Sequence, residues 1–310
     1  MTKSRPPLLL LGIASGLSPF GMAVIVPAMN SIAETYEASL ASVQFVISAY
    51  LFGLATAQPV MGYLCDRFGR RRVMASGFGI FVIASLACAF TPTLEFLIAA
   101  RFLQAVGTSA GTVASRAILR DTCHGDEMAM AMSYIAAAMG AAPVVAPIMG
   151  GFLDAYWSTE SIYVGTALIG TGVLVAVLLR LPETLAHDAP RPDASRLMHN
   201  YSVLLRSRSF LGYTFLYGFI QGSFFCFLAV GAAYFLDAYA MDSQSFGVVW
   251  GVMAVAYVIG ATAGAKLTER VGSANLLRSS VLLSILAAAS LIVFSANEPM
   301  PIGAVVGPLF

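Results

Sequence analysis

The chain has 310 residues, of which 58% are hydrophobic and only 11% are charged, and its mean hydropathy is +0.81. An ordinary soluble domain carries about 25% charged residues, so this composition excludes a soluble globular enzyme and predicts a lipid environment for most of the chain. The net charge of +1 gives no reason to expect a nucleic acid partner. The four cysteines lie far apart without CxxC spacing, which indicates neither a disulfide framework nor a metal site.

Nine apolar runs are long enough to cross a membrane as helices of about 20 residues. In chain order the runs cover residues 7–29, 42–64, 74–91, 96–118, 128–152, 161–180, 209–233, 244–266 and 276–295. A tenth run begins after Pro301, and the chain stops at Phe310. The first run is too long for a cleaved signal peptide, and another span soon follows it. The sequence therefore predicts an all-α polytopic membrane protein.

Basic residues are concentrated in alternate connections between these spans. Sixteen of the seventeen lysines and arginines lie at the N-terminus or in and beside the even-numbered loops, whereas the odd-numbered loops contain only acidic charges. Positively charged loops remain in the cytoplasm. The N-terminus is therefore predicted to be cytoplasmic, the C-terminus after nine spans to be outside, and the protein to lie in the inner (cytoplasmic) membrane.

The longest connection contains three prolines, mixed charges and few apolar residues, as is typical of a linker. Six predicted helices precede it and three follow. We therefore predict a six-helix N-terminal bundle over 1–181, a cytoplasmic linker over 182–208 and a second bundle over 209–310.

An internal repeat relates the two halves of the chain. The sequence LCDRFG at Leu64–Gly69 recurs as LTERVG at Leu267–Gly272, an offset of 203 residues that also superimposes the first three spans on the last three. Transporters are often built from such parallel six-helix halves. The repeat predicts about 73 residues beyond Phe310. The chain is thus expected to be truncated, with a second bundle that contains helices 7–9 and the start of helix 10.

The loop after the second span reads GYLCDRFGRRR. A carboxylate and several guanidinium groups meet there at a helix end, where a glycine permits a sharp turn. The arginines could simply anchor the loop at an anionic leaflet, but the degenerate copy in the second half favours a further role. The spacing resembles the G-x-x-x-D-R-x-G-R-R motif of the major facilitator superfamily. That resemblance implies a cytoplasmic gate formed by Gly62, Asp66, Arg67, Gly69, Arg70 and Arg71.

The fourth span contains Arg101, the one basic residue placed well inside a predicted span. An intramembrane arginine is costly and therefore indicates function, unless its side chain snorkels to the surface. Successive residues of a helix are rotated by about 100°, which places five polar side chains of this span on one face as a polar stripe. The stripe consists of Arg101, Gln104, Thr108, Thr112 and Ser115. The sequence also resembles the R-x-x-Q-G motif of the same superfamily, with alanine in place of its glycine. That resemblance implies that Arg101 and Gln104 take part in proton coupling.

The fifth span carries prolines and glycines at steps of three and four residues. Such residues are common in membrane helices, so ordinary packing remains an alternative. The sequence resembles the P-x-x-G-G part of the superfamily's antiporter motif. The resemblance implies an exporter whose antiporter helix contains Pro143, Pro147, Gly150 and Gly151.

Gln58, the pair Arg120–Asp121 and the two prolines of the fifth span resemble the bicyclomycin-resistance (Bcr/CflA) subgroup of drug:proton antiporters. An aspartate usual in the first span of that subgroup is replaced by Ala23, so no proton-carrying residue is identified. Apolar walls with scattered polar groups suit lipophilic substrates. The candidate substrate-cavity residues are Phe20, Tyr50, Gln58, Tyr134, Tyr217, Gln221 and Phe224.

These observations predict a secondary transporter that exports drugs or small amphipathic compounds by alternating access. The proton gradient would be its energy source, no cofactor is expected, and its partners would be the substrate, protons and the lipid bilayer. The sequence leaves the oligomeric state open. It contains no HExxH, Walker A or nucleophile-elbow motif, so we do not expect an enzyme. Proton-coupled uptake of a metabolite and an inactive truncated fragment remain alternatives.

Overall fold

A computed structural model of the chain describes residues 7–185, 201–238 and 273–294, with six further positions at 259, 260, 263, 267, 271 and 272. Over these residues it contains helices and short connections and no strand. Contacts divide the chain into two units, Met1–Ser223 and Phe224–Phe310. The predicted helical class is confirmed, whereas the division into two bundles with a linker at 182–208 stays a prediction.

The first unit is built mainly from long helices. They are α1 (Leu8–Ala23), α2 (Met29–Thr35), α3 (Leu40–Phe68), α4 (Arg70–Ala89), α5 (Leu94–Thr122), α6 (Gly125–Tyr156), α7 (Thr159–Arg180) and α8 (Arg208–Ala238), which continues into the second unit. The second unit contains α9 (Ser273–Phe294).

Local sequence explains several helix boundaries. The hydroxyls of Ser39 and Thr93 accept hydrogen bonds from backbone N–H groups in the first turns of α3 and α5, at 3.2 and 3.3 Å. Such N-caps satisfy donors that would otherwise have no partner. Pro27 lies in the 3₁₀ turn Val26–Ala28 between α1 and α2, where its missing N–H causes no loss. The first predicted span therefore extends through this turn to Thr35.

Helix α5 lies at the centre of the first unit. It packs against α1, α3 and α4, while α6 covers α1 and α7 covers α4. Large apolar side chains from several helices are fully buried between them, among them Leu11, Phe78, Phe81 and Ile118. Small residues of α5 allow close approach of its neighbours, as is common in membrane bundles.

Seven helical segments among the described residues are long and apolar enough to cross a membrane. They are Leu8–Thr35, Leu40–Phe68, Arg70–Ala89, Leu94–Thr122, Met130–Tyr156, Thr159–Arg180 and Asn275–Val293. The predicted seventh span corresponds to α8, and most of the predicted eighth span, 244–266, lies outside the described residues. The count of nine spans therefore stays a prediction, whereas the multi-pass membrane character is confirmed.

The six spanning segments of the first unit have two chemically different ends. One end carries the basic residues of the α3–α4 loop and of the ends of α5 and α7, and we call it the basic end. The opposite end carries acidic residues and, within the described part of the chain, no basic ones, and we call it the acidic end; its charges are Glu34, Glu37, Glu95, Asp154 and Glu160.

Candidate functional site

The side chain of Arg101 is completely buried near the acidic end of α5. Its Nη1 donates a hydrogen bond to the backbone oxygen of Gly21 on α1 at 2.9 Å and a second one to Oε1 of Gln104. Gln104 in turn donates from Nε2 to the hydroxyl of Ser85 on α4 at 2.7 Å. One polar network therefore joins α1, α4 and α5, and we call these four residues the arginine network.

Tyr50 of α3 covers the arginine network. The guanidinium carbon of Arg101 lies 4.3 Å from the centre of the tyrosine ring, within the range of a cation–π interaction. The Tyr50 hydroxyl donates a hydrogen bond to the backbone oxygen of Ser18 on α1 at 2.9 Å. Because Tyr50 has no exposed surface, its contact in this structure is with the arginine rather than with an open cavity.

The arginine carries a positive charge that remains incompletely paired. Among the described residues no carboxylate forms an ion pair with Arg101, and its Nε and Nη2 have no hydrogen-bond partner. A buried charge without a counter-ion costs several kcal/mol. The side chain does not snorkel, because none of it is exposed. The structure thus holds a cation and two free donors inside the bundle.

The predicted polar stripe lies on one buried face of α5. All five of its members are buried, and Ser115 donates to the backbone oxygen of Leu11 on α1 at 3.2 Å. The stripe therefore faces α1 and its neighbours within the first unit.

A second cluster of charges lies at the basic end, where α3 turns into α4. Arg70 is nearly buried there, and its Nη2 lies 2.9 Å from Oδ1 of Asp66. Its Nε lies 2.8 Å from Oδ2 of Asp121 at the end of α5, and its Nη1 donates to the backbone oxygen of Cys65 at 3.0 Å. One guanidinium thus ties the α3–α4 loop to α5, and charge-assisted contacts of this kind are among the stronger ones.

Glu183, just after α7, holds the same loop from the other side. Its carboxylate accepts hydrogen bonds from the backbone N–H groups of Arg70 and Arg71 at 2.8 and 3.2 Å. It also accepts from the N–H groups of Thr184 and Leu185 at 3.0 and 3.1 Å. A carboxylate at a helix N-terminus satisfies free donors and complements the helix dipole. Glu183 therefore caps α4.

Gly69 makes the approach of Glu183 possible. Its φ of +99° and ψ of 149° lie in a region that is essentially restricted to glycine. A Cβ at this position would also collide with the Glu183 carboxylate. By contrast, Gly62 lies inside α3 with open space where its Cβ would be.

The remaining arginines of the loop have separate contacts. Arg71 donates from Nη2 to the backbone oxygen of Leu178 on α7 at 2.5 Å. Arg67 is exposed, donates to the hydroxyl of Tyr63 at 2.5 Å and lies over the rings of Tyr63 and Phe68. Of the predicted gate residues, Asp66 pairs with Arg70, and Gly69 and Arg71 share the contact with Glu183. Gly62 and Arg67 lie outside this cluster, and the role of all six as a gate stays a prediction.

The predicted antiporter helix, α6, packs along α1. Gly150 lies so close to the end of α1 that a Cβ there would overlap the backbone oxygen of Val24, the residue that follows this helix. A Cβ on Gly151 would lie 3.5 Å from Cβ of Pro27. Pro143 and Pro147 lie within the continuous helix and are half-buried. The P-x-x-G-G segment thus fixes the distance between α6 and the acidic end of α1.

The other candidate substrate-cavity residues are spread over four helices. Phe20 and Gln58 are half-buried on α1 and α3, and Tyr134 is 42% exposed on α6. On α8, Tyr217 is exposed and Gln221 is half-buried, while the side chain of Phe224 lies outside the described residues. Their assignment to a substrate cavity stays a prediction.

Three members of these clusters lie outside the roles that the sequence motifs predict. Ser85 and Glu183 received no role, and Asp121 was noted only as part of an Arg–Asp pair. For Glu183 a signal was present, because an acidic residue that directly follows a helix ending beside a basic loop is a candidate cap. Ser85 carries no such signal, since serine is a common residue in membrane helices.

Comparison with known proteins agrees with the motifs. The family model described as Major Facilitator Superfamily matches residues 11–310. An uncharacterized MFS-type transporter, YdgK, of Bacillus subtilis is 32% identical over 91% of this chain and 71% of its own length. A bicyclomycin resistance protein homolog of Haemophilus influenzae is 28% identical over 97% of this chain and 77% of its own length. Multidrug resistance protein D of Escherichia coli is 32% identical over 66% of this chain and 51% of its own length.

Solved structures show the same fold at low sequence identity. The human organic anion transporter MFSD10 (TETRAN) aligns with a TM-score of 0.71 at 16% identity, over 98% of this chain and 83% of that protein. A bacterial homolog of the human lysosomal transporter Spinster, in an inward-facing and unoccupied conformation, aligns with a TM-score of 0.72 at 14% identity, over 97% of this chain and 70% of that protein. The resemblance inferred from the sequence motifs is confirmed, and this chain belongs to the major facilitator superfamily of membrane transporters.

Proposed function

We propose that the protein is a secondary transporter that exports small amphipathic compounds in exchange for protons by alternating access. One proton that moves through about 100 mV releases about 2.3 kcal/mol. By the usual relation between free energy and concentration ratio, this supports a substrate gradient of roughly fifty-fold. No cofactor is required for such an exchange.

The observation that carries this proposal is the buried, incompletely paired charge of Arg101. A fixed cation raises the energy of any second positive charge close to it. The free donors of Arg101 bind hydrogen-bond acceptors, so a proton taken up by such an acceptor would weaken its bond to the arginine, and a proton and a substrate acceptor bound there would oppose one another. Mutual exclusion of proton and substrate is what an exchange mechanism needs.

The arginine network is also suited to transmit a local change. Arg101 bonds α1 directly and α4 through Gln104, and Tyr50 of α3 lies over its charge. A change in the hydrogen-bond partners of Arg101 would thus alter contacts with three helices at once. Buried polar networks respond in this way because each unpaired group inside them is costly.

Export is favoured over uptake by two observations. The P-x-x-G-G segment resembles that of antiporters and holds α6 tightly against α1. Relatives of the chain include proteins named for resistance to bicyclomycin or to multiple drugs. These names describe those proteins, and they support the same class of activity for this chain.

For orientation, we propose that the basic end faces the cytoplasm, because its arginines obey the positive-inside rule. The network of Asp66, Arg70 and Asp121 with the Glu183 cap would then form the cytoplasmic gate of the first unit. We propose that the predicted substrate-cavity residues form the surface that contacts the substrate. Tyr50 would affect the substrate only through its contact with Arg101.

The direct test is Arg101→Ala in cells that express the chain, with Arg116→Ala as a matched control. Arg116 is exposed on the same helix at the basic end. We expect Arg101→Ala to abolish both drug tolerance and drug-driven proton release from proteoliposomes, while the control retains both. Full proton-coupled export by the Arg101 variant would contradict the proposal, and failure of the unmodified chain to confer either activity would favour an inactive fragment.

The direction of transport is tested separately, in membrane vesicles whose orientation is known. Export predicts substrate accumulation in inverted vesicles whose interior is acidic. Concentrative accumulation in right-side-out vesicles with an inward proton gradient would instead establish uptake of a metabolite.

A further inference from the structure

The first membrane span is interrupted beside the arginine network. Helix α1 ends at Ala23, and a short 3₁₀ turn separates it from α2. The last hydrogen bond of α1 runs from the N–H group of Val24 to the backbone oxygen of Phe20 at 3.0 Å. The carbonyl groups of the final turn, from Gly21 onward, therefore have no N–H partner within the helix.

Arg101 binds the first of these free carbonyl groups. Its Nη1 donates to the oxygen of Gly21 at 2.9 Å, in place of the N–H group that a continuous helix would provide. Gly21 is buried, so the protein itself has to satisfy this oxygen. The helix end is packed closely against the network, because a Cβ on Gly21 would lie 2.7 Å from the hydroxyl oxygen of Tyr50.

The end of α1 also carries a charge opposite to that of the arginine. The aligned peptide dipoles of a helix give its C-terminus about half of an elementary negative charge, and the effect acts over the last turn. Gly21 lies in that turn, two residues before Ala23. Together with the ring of Tyr50, the helix end therefore presents negative charge to the guanidinium group of Arg101.

Pro27 explains why α1 ends at this point. In a continuous helix its nitrogen would have no hydrogen to donate to the oxygen of Ala23, and its ring would collide with that carbonyl group. The proline side chain is exposed, so its main effect is on the backbone. Pro19, by contrast, lies inside α1 and does not end it.

We propose that Pro27 is a positioning residue for Arg101. By ending α1, it leaves the Gly21 oxygen free to accept a hydrogen bond from the guanidinium group and places the negative helix end beside the buried charge. The break in the first span thus supplies part of the role of a counter-ion. Its consequence for transport rests on the proposed role of Arg101 in proton coupling, whereas the contact itself is measured without transport.

A double-mutant cycle on the purified, detergent-solubilised chain tests this role. Pro27→Ala allows α1 to continue, so that the Gly21 oxygen is shared with the N–H group of Ile25 and the helix end moves away from Arg101. We expect Pro27→Ala to lower the apparent unfolding temperature by roughly 2–4 °C more when Arg101 is present than in an Arg101→Met background. Packing lost with the proline ring cancels, because it is the same in both backgrounds.

Pro19→Ala is the matched control, since it removes a proline of the same span that does not end the helix. It is expected to shift the unfolding temperature equally with and without Arg101. A purely structural role of Pro27 would give this same result for Pro27→Ala. Equal shifts of Pro27→Ala in the two backgrounds would therefore overturn the proposal.

A backbone ester tests the carbonyl contact without altering the proline. Replacing Met22 by its α-hydroxy acid converts the carbonyl of Gly21 into an ester carbonyl, which is a weaker acceptor. The matched control makes the same change at Leu17 and weakens the carbonyl of Gly16 instead; each ester removes one N–H group of α1. We expect the Met22 ester to lower the unfolding temperature more than the Leu17 ester only when Arg101 is present. An equal difference in the Arg101→Met background would show that this carbonyl does not hold the arginine, whatever the outcome of the transport assays.

Discussion

The guanidinium carbon of Arg101 lies 4.3 Å from the ring centre of Tyr50, and both side chains are wholly buried. In a membrane bundle this contact provides part of what a counter-ion would otherwise supply, since the face of an aromatic ring carries partial negative charge. The pair thus helps to explain how the first unit retains a charge that no carboxylate neutralises among the described residues.

This arrangement predicts different effects for two substitutions of Tyr50. Tyr50→Phe removes only the hydrogen bond to Ser18 and is expected to cost about 1 kcal/mol. Tyr50→Leu also removes the ring face and is expected to cost about 0.5–2 kcal/mol more. Thermal unfolding of the detergent-solubilised protein measures both. Equal stability of the two variants would show that the ring does not stabilise the arginine.

The α3–α4 loop predicts a contrast between two glycines of one motif. Gly69→Ala forces a side chain into a glycine-only conformation and is expected to destabilise the protein by at least about 2 kcal/mol. Gly62→Ala lies in a helix with open space around it and is expected to be neutral or stabilising by up to about 1 kcal/mol. The unfolding temperatures of the two variants, measured beside that of the unmodified protein, test this contrast. A tolerated Gly69→Ala would contradict the observed loop geometry.

The cap on α4 predicts an effect from a residue outside the recognised motifs. Glu183→Gln replaces a double acceptor with an amide whose NH₂ group faces backbone donors, so the loss is expected to be about 1 kcal/mol. Glu127→Gln is the control, because Glu127 is an exposed acid in the first turn of α6. Hydrogen exchange at the amides of Arg70 and Arg71 should accelerate only in the Glu183 variant. Unchanged protection would argue against the cap.

The α1–α6 interface predicts unequal roles for two adjacent glycines. Gly150→Ala would drive a methyl group into the Val24 backbone, so we expect the helices to separate and both stability and transport to fall sharply. Gly151→Ala makes an ordinary contact with Pro27 and should be tolerated. Expression level, unfolding temperature and drug tolerance of the two variants test this order. If Gly151→Ala were the more damaging change, Gly151 would be needed for its backbone conformation rather than for the space that it leaves at the interface.

Much of the fold was predictable because lipid imposes strong constraints on sequence. Backbone groups must be satisfied within each segment, so apolar runs of the right length become helices. All six predicted spans of the first unit correspond to helices, although the first extends to Thr35 and the third begins at Arg70. These boundaries differ because capping and turn geometry, rather than hydropathy, decide where a helix ends.

The candidate site was predictable only where its members are neighbours on one helix or one loop. The spacing of Arg101 and Gln104 places both on one face of α5, and Asp66 and Arg70 are four residues apart. The more distant partners, Gly21, Ser85 and Asp121, come from other parts of the chain.

The sequence by itself determined the helical membrane class, the family and the two motif-bearing clusters, because hydropathy and local spacing are properties of contiguous residues. Only the tertiary structure decided that Tyr50 covers Arg101, that Glu183 caps α4, and that Gly150 rather than Gly151 contacts the backbone of the residue after α1. These outcomes depend on how closely separate helices approach one another. That approach is set by packing across the whole bundle.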